Sequence, residues 1–319
     1  MAEKTVWDFE RSLAFLERRF GSRVAVDRPL SDLTTFRTGG AARLFIEVQD
    51  APELAAAIEI AVKHSIPFFM VGGGSNLLVS DLGYDGLIIK NSVMGMSING
   101  ERINAGAGEE LQALVDLAAE NSLAGLEFAS GIWGTVGGAI CGNAGAYGSE
   151  IGRFLDSAEL VDRKGNIRAV EADYFEFSYR WSRLKKTGEF VTRATFALKE
   201  GKKEAIQSRI DEIMALRNDK LPVGLRSAGC FFKNIPDGSR EYGKLSAGML
   251  LEKVGAKSLR WGGAKVFEKH ANILINEGSA KSEDIRRLAD LMKSKVREKF
   301  GIELQEEVIL LGEFKEDSL

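Results

Sequence analysis

The sequence predicts an α+β chain of two or three domains, and three observations carry that reading. At 319 residues the chain can bury more than one core. Short apolar runs bounded by turn residues are interleaved with amphipathic helical patterns along its whole length. Near residues 200–205 the pattern changes to a long polar helix, Lys202–Lys220, which marks the entry to a further domain.

Taken in order, residues 8–20 set Phe9, Leu13, Leu16 and Phe20 at helical spacing behind Asp8 as N-cap. The turn-rich segment Leu33–Gly40 leads into a strand, Arg43–Val48. Pro52 opens a helix that runs to about Ser65, with His64 in its last turn, where a charged imidazole suits the helix dipole. Ile66–Val71 reads as a buried strand, followed by strands at 86–90 and 102–105. Glu109–Ser122 is an amphipathic helix built on Leu111, Leu114, Val115 and Ala118. Strands follow at 158–162, 166–170 and 190–198, and the long helix then turns Ile206, Ile210 and Ile213 to one side and stops at Leu221-Pro222. Ser246–Gly255 is a short helix and His270–Asn276 a strand. Ser282–Phe300 is a helix with Ile285, Leu288, Met292 and Val296 inward. A closing strand, Ile302–Gly312, carries Glu306 and Glu307.

Composition excludes several classes. With 45% hydrophobic and 28% charged residues the chain is of ordinary globular make-up. A net charge of −3 lacks the basic face of a nucleic-acid binder. No stretch approaches the roughly 20 apolar residues of a membrane helix, and the first residues lack the form of a signal peptide. Cys141 and Cys230 form no disulfide framework, which fits a reducing cytoplasm. With two histidines, His64 and His270, and no CxxC or HExxH, no metal centre is expected.

Two glycine motifs point to chemistry. Gly131–Gly148 holds seven glycines in eighteen residues, where 35 in 319 would place about two. Glycine at that density gives no side-chain packing; it supplies positive φ and backbone amides that approach something bulky. Tight turns joining core strands are the plain alternative. Upstream, Ile66–Val71 runs into Gly72-Gly-Gly-Ser-Asn-Leu-Leu78, a nest of backbone amides with a hydroxyl and a carboxamide. It has no Gly-Lys-Ser/Thr of a P-loop and no third glycine of a dinucleotide fingerprint. Two phosphate-type loops in one domain suggest a dinucleotide held between two halves.

Eight segments in order resemble the UDP-N-acetylenolpyruvoylglucosamine reductase family, from residue 30 to 312. They are Thr34-Thr-Phe-Arg-Thr-Gly-Gly40, Gly72–Leu78, Gly125-Leu-Glu-Phe128, Gly131–Gly148, Tyr179-Arg-Trp-Ser182, Ala228-Gly-Cys-Phe-Phe-Lys-Asn234, His270-Ala-Asn272 and Glu306-Glu-Val308. The resemblance implies a two-part FAD-binding domain of the vanillyl-alcohol oxidase type over 21–200, divided near residue 90. It implies a separate α+β substrate domain over 204–305 and a C-terminal strand and tail over 306–319. The shorter subtype of the family is the one the chain is similar to.

What the resemblance implies about chemistry is specific. Non-covalent FAD is expected against Arg37, Thr38, Gly72, Gly73, Gly74, Ser75 and Asn76, and against Gly131, Gly134, Thr135, Gly137, Gly138 and Asn143. NADPH is expected to reduce it, and UDP-N-acetylglucosamine enolpyruvate to accept the hydride in a cytoplasmic step of peptidoglycan precursor synthesis. Tyr179, Lys220, Lys233 and Asn234 match substrate-binding positions. Arg180 and Glu307 polarise the substrate carboxylate, Glu307 carrying or sharing a proton because an ionised glutamate would repel it. Cys230 stands at the proton-donor position. No obligate protein partner is implied.

The chain departs from the family pattern at three places. Cys230 stands where many members have serine, Trp133 replaces a proline, and Gln305-Glu306-Glu307 replaces Glu-Pro-Glu. Glu307 aligns as catalytic because it precedes Val308, with Glu306 the alternative. Two rival functions share the features: a flavoprotein oxidase of the same fold, and a regulatory protein that has lost catalysis. The oxidase reading lacks a histidine placed to tether FAD. The regulatory reading leaves Arg180, Cys230 and Glu307 intact without a task.

Overall fold

In the computed structural model, which describes residues 7–221, 224–239 and 243–314, the helix Phe9–Phe20 begins where Asp8 accepts the Arg11 N–H at 3.0 Å. The helix Ala51–Lys63 is started in the same way by Asp50, which accepts the Glu53 N–H at 2.7 Å. The two helices pack on a four-stranded sheet whose order is Ala25–Pro29, Ala41–Val48, Tyr84–Asn91, Phe68–Val71. Their shared core holds Leu16, Leu44, Ile46, Leu54, Ile58 and Leu87. A second sheet of five antiparallel strands runs Ile167–Glu171, Leu155–Val161, Phe190–Ala197, Arg102–Gly106, Met96–Asn99. Its core holds Leu111, Leu114 and Val115 of the helix Leu111–Glu120, with Val136 and Ile140 of a short helix, Val136–Gly142. Ile206 and Ile210 of the helix Lys203–Lys220 close the same core. Pro222, read as the stop of that helix, lies outside the described residues.

These elements form one compact unit, made of the residues up to Arg28, Ala42–Gly73 and Asp85–Ala215. The other unit is made of Pro29–Ala41, Gly74–Tyr84 and the residues from Leu216 on. The contacts therefore divide the chain differently from the consecutive segments 21–200 and 204–305 read from the sequence. The cause is local. Gly74 has φ +61 and a Cβ there would collide with the Leu33 carbonyl, while the Thr35 N–H donates to the Gly74 carbonyl at 3.3 Å. The strand Leu77–Val79 pairs in parallel with Ile309–Leu311.

Within this second unit the helix Ser282–Phe300 buries Ile285, Leu288, Met292 and Val296, the predicted face. They pack with Phe36, Phe231, Phe232 and Leu250 in one core. Asp81 starts the helix from outside its own sequence. Its two carboxylate oxygens accept the N–H groups of Ser282 and Glu283, each at 2.9 Å.

Four readings are corrected. The strand before Gly72 is Phe68–Val71, half-buried rather than buried, because it lies at the edge of its sheet. The strand read over His270–Asn276 is only Leu274–Asn276; His270–Ile273 is a turn closed by the Ile273 N–H on the His270 carbonyl. The closing strand is Ile309–Leu311, so Glu306 and Glu307 precede it. His64 does not favour the charged form. Its ring stacks on Phe15 at 4.0 Å, and burial, with Arg11 and Lys63 nearby, lowers its pKa.

Removing the remote helix cap by Asp81→Ala should lower stability by about 1 kcal/mol, read as a lower denaturant midpoint at unchanged slope. An unchanged midpoint would show that the helix start needs no carboxylate.

Candidate functional site

In the first unit the two glycine motifs meet. A Cβ on Gly72 would collide with Thr135 Oγ1, and one on Gly73 would stand 3.1 Å from the Gly134 Cα. Gly73 therefore lies against the Gly134 backbone, and Gly72 against the Thr135 side chain. The sequence reading treated Gly131–Gly148 as loop throughout, but a helix, Val136–Gly142, starts inside it. Thr135 caps that helix, its Oγ1 accepting the Gly138 N–H at 3.3 Å. The Val136 and Gly137 N–H groups donate to the Glu109 and Ala107 carbonyls, both at 2.9 Å. The Gly131 N–H donates to Gln112 Oε1 at 2.7 Å, and the Gly134 carbonyl accepts the Leu111 N–H at 2.9 Å. The feature this stretch offers a ligand is close backbone approach where Gly72–Gly73 meets Gly134–Thr135. Gln112, a residue no motif flagged, helps to hold it.

The far end of the same short helix carries Arg180. Asn143 terminates the helix with φ +43 and is 1% exposed. Its Nδ2 donates to the Ser178 carbonyl at 2.9 Å, and its Oδ1 accepts the Gly152 N–H at 3.1 Å. Ser178 and Trp181 exchange two backbone hydrogen bonds of 3.1 Å, so Tyr179 and Arg180 form the tip of a tight turn. The fully buried Ser182 ties the turn down again, donating to the Cys141 carbonyl at 2.8 Å. Arg180 sits at φ +55, a left-handed conformation that costs a non-glycine residue about 1 kcal/mol or more. Its Nη1 donates to the Gly145 carbonyl at 2.9 Å, and its guanidinium lies 5.4 Å from the Tyr179 ring centroid. Strain of this kind persists where the surroundings over-determine it, here through Asn143, Ser182 and Gly145.

In the second unit Cys230, Lys233, Asn234, Glu307 and Asn76 belong to one hydrogen-bonded framework. Cys230 bridges Ile273 and packs beside Phe267 and Ile275. Next to it, the Phe231 N–H donates to the Asn272 carbonyl at 2.8 Å, and the Phe231 carbonyl accepts the Glu307 N–H at 2.8 Å. The buried Asn272 grips Phe232 from both sides, accepting its N–H at 3.0 Å and donating to its carbonyl at 2.8 Å. The Lys233 N–H donates to the Gln305 carbonyl at 2.8 Å, and Asn234 Oδ1 accepts the Ala247 N–H at 3.1 Å. On the other flank Asn76 Nδ2 donates to the Glu307 carbonyl at 2.9 Å. Asn272 had been noted only as part of a motif; its role shows once Phe232 is found beside it, since a buried carboxamide needs partners for both ends.

The other predicted positions fall around these groups. Arg37 has φ +56 and donates to the Asp32 carbonyl at 2.9 Å. Thr38 is buried, its Oγ1 accepting the Ser282 hydroxyl at 2.8 Å. Ser75 is half-buried between Gly74 and Asn76. Lys220 is the exposed last residue of its helix. His270 is depressed, mainly by burial and further by Lys257 and Lys220, and its Nδ1 accepts the Asn272 N–H at 3.2 Å, which requires the neutral ring. Burial raises the Cys141 thiol. Among the described residues no group of three or more histidines, cysteines and carboxylates is arranged to hold a metal ion, and no helix is long and apolar enough to cross a membrane.

Comparison with known proteins places this geometry. Residues 42–171 match a family described as FAD binding domain, and residues 221–311 match the C-terminal domain of UDP-N-acetylenolpyruvoylglucosamine reductase. The UDP-N-acetylenolpyruvoylglucosamine reductase of Lachnoclostridium phytofermentans is 40% identical over 297 residues, covering 91% of this chain and 94% of that protein. The chain belongs to the UDP-N-acetylenolpyruvoylglucosamine reductase family. Another member, from Caldanaerobacter subterraneus, is 38% identical over 292 residues, covering 91% of this chain and 94% of its own. The crystal structure of the reductase from Thermus caldophilus superposes with a TM-score of 0.75 at 33% identity, covering 91% of this chain and 98% of that one. The α+β fold expected from the sequence, an FAD-binding domain with a further α+β domain, is therefore established.

The two adjacent glutamates have different surroundings. Glu306 is held by Lys293 Nζ at 2.8 Å and Arg286 Nη1 at 3.4 Å. Burial alone would raise its pKa, but the hydrogen bond from Lys293 and the two positive charges outweigh it and leave it lowered. A lowered folded value contributes stability that is present above the unfolded carboxylate range of about 4.3 and lost as pH falls through the folded value. Glu306→Gln should therefore be less stable than the parent at pH 7, and the two should converge in acid. A pH series of denaturant melts checks this, and a gap that persists below the depressed value would contradict it.

Proposed function

We propose that this chain reduces UDP-N-acetylglucosamine enolpyruvate to UDP-N-acetylmuramate in the cytoplasm, with FAD as bound cofactor and NADPH as hydride donor. The observation that carries the reading is the framework around Phe231, which joins Cys230 to Glu307 through adjacent peptides. A thiol and a carboxyl group are thus set at a fixed spacing, as protonation next to a carboxylate requires. The contact of Gly72–Gly73 with Gly134–Thr135, where a Cβ on Gly72 would collide with the Thr135 hydroxyl, brings together the two glycine motifs assigned to a phosphate-bearing cofactor. Arg37, Thr38, Gly74, Ser75 and the backbone of Asn76 are the other groups assigned to FAD. FAD held by these residues and reduced by NADPH would supply the hydride for the methylene carbon of the enolpyruvyl group.

The chain's own residues do the rest. As the methylene carbon gains hydride, negative charge develops on the adjacent carbon and its carboxylate. Arg180, fixed by its turn, stabilises that charge, and Glu307 carries or shares a proton with the carboxylate. The Cys230 thiol donates a proton to the carbon bearing the carboxylate, so hydride and proton together saturate the double bond. Tyr179, Lys220, Lys233 and Asn234 are assigned to the sugar nucleotide.

Anaerobic reduction with NADPH, followed by addition of the enolpyruvyl compound, tests the function; flavin that reoxidises with oxygen and ignores this compound would favour the oxidase. Arg180→Ala and Glu307→Ala should slow reoxidation by the enolpyruvyl compound by about 10²–10³ and leave reduction by NADPH largely intact. Stopped-flow absorbance separates the two steps, and equal slowing of both would contradict the roles. Cys230→Ser, which keeps a proton at the same position, should retain substantial turnover. Cys230→Ala should lose far more, and an alanine variant as active as the parent would return Cys230 to a packing role.

A further inference from the structure

The asparagines that follow the glycines of the two motifs, Asn76 and Asn143, are expected from the resemblance to contact the cofactor. Their surroundings point elsewhere. Asn143 is 1% exposed, and both ends of its carboxamide are engaged within the first unit, with Ser178 and Gly152. A ligand has no approach to a side chain so covered. Its φ of +43 is one that asparagine adopts more readily than most residues. The carboxamide thereby ties the end of the glycine helix to the turn whose tip is Arg180, and Gly145, two residues on, accepts from Arg180 itself.

Asn76 stands in the corresponding relation to Glu307 in the second unit. Its Nδ2 donates to the Glu307 carbonyl, while its own carbonyl accepts the Ile309 N–H at 3.0 Å. The Glu307 N–H is already held by Phe231. With its N–H and carbonyl both engaged, the Glu307 backbone is fixed, and with it the direction of the Cα–Cβ bond from which the carboxyl group extends.

We propose that Asn143 and Asn76 are positioning residues for the substrate-facing pair, Arg180 and Glu307 respectively, and that neither side chain is a cofactor ligand. The proposal rests on the function stated above. Misplacing a group that stabilises developing charge by about 1 Å costs on the order of 10²-fold in rate. Asn143 is buried and should show an effect of that order, whereas Asn76 is exposed and should show a smaller one.

The test measures flavin affinity and half-reactions in the same variants. Asn143→Gly keeps the left-handed backbone and removes the carboxamide; Asn143→Asp keeps the acceptor for Gly152 and loses the donor to Ser178. Asn76→Ala removes the donor to Glu307 at an exposed position, so it reports even if both Asn143 variants fail to fold. The expected result is an unchanged flavin dissociation constant on titration of apoprotein. Reoxidation by the enolpyruvyl compound should slow by about 10²-fold for the Asn143 variants and less for Asn76→Ala. Asn143→Gly combined with Arg180→Ala should be no slower than Arg180→Ala alone, because the asparagine acts only through the arginine. Flavin affinity weakened ten-fold or more with reoxidation intact, or additive losses in the double variant, would overturn the assignment. Parent protein whose reduced flavin ignores the enolpyruvyl compound would overturn the function itself, an outcome distinct from either.

Discussion

The first unit depends on the close approach of Gly72–Gly73 to Gly134–Thr135, in which Gly72 meets the Thr135 hydroxyl and Gly73 the Gly134 backbone. Gly72 leaves no room for a Cβ against Thr135, and Thr135 caps the short helix that follows. The position of that helix sets where Asn143 ends it, and Asn143 with Ser182 sets where the Arg180 turn lies. A glycine on the edge of a half-buried strand is thus connected, through one hydroxyl and seven helical residues, to a guanidinium in a strained backbone conformation. The helix is short and glycine-bearing, so it has little intrinsic stability. Packing of Val136 and Ile140 in the core holds it instead.

The second unit reaches a similar end by other means. The two side chains proposed to react there lie on irregular backbone, Cys230 beside a single bridge and Glu307 ahead of a short strand. Their order comes from peptide groups bound on both flanks, by Asn272 on one side and Asn76 on the other. Glu306, one residue away, points its charge to Lys293 and Arg286 of the C-terminal helix. Those two cations hold Glu306 in its charged form and tie it to the helix that supports the core.

Helices were the most legible part of the sequence. The spacing of Ile285, Leu288, Met292 and Val296 named a buried face correctly, and Asp8 was found as a cap. The helix Val136–Gly142 was not legible, because five of its seven residues are glycine or β-branched and propensity argues against it. The closing strand was read too long because its apolar run continues the pattern of Ile302 and Leu304, while Gln305 and Glu307 turn their backbones to Lys233 and Phe231. Residue types at the candidate site were legible from motifs. What each asparagine holds was not, since the partner of Asn143 lies 35 residues on and that of Asn76 231 residues on.

That last separation bears on how the chain is made. Leu77–Val79 finds its strand partner in Ile309–Leu311, and Asp81 caps a helix that begins at Ser282. Both segments emerge from the ribosome early and wait for nearly the whole remaining chain before these partners exist. The first unit's sheets, by contrast, draw on nothing beyond Glu200. Synthesis from the N-terminus therefore favours early assembly of the glycine-motif unit, with the apolar strand Leu77–Val79 left without its strand partner until translation is almost finished. A chain that ended at Val308 would carry every residue assigned to chemistry and still lack the strand that seats Leu77–Val79.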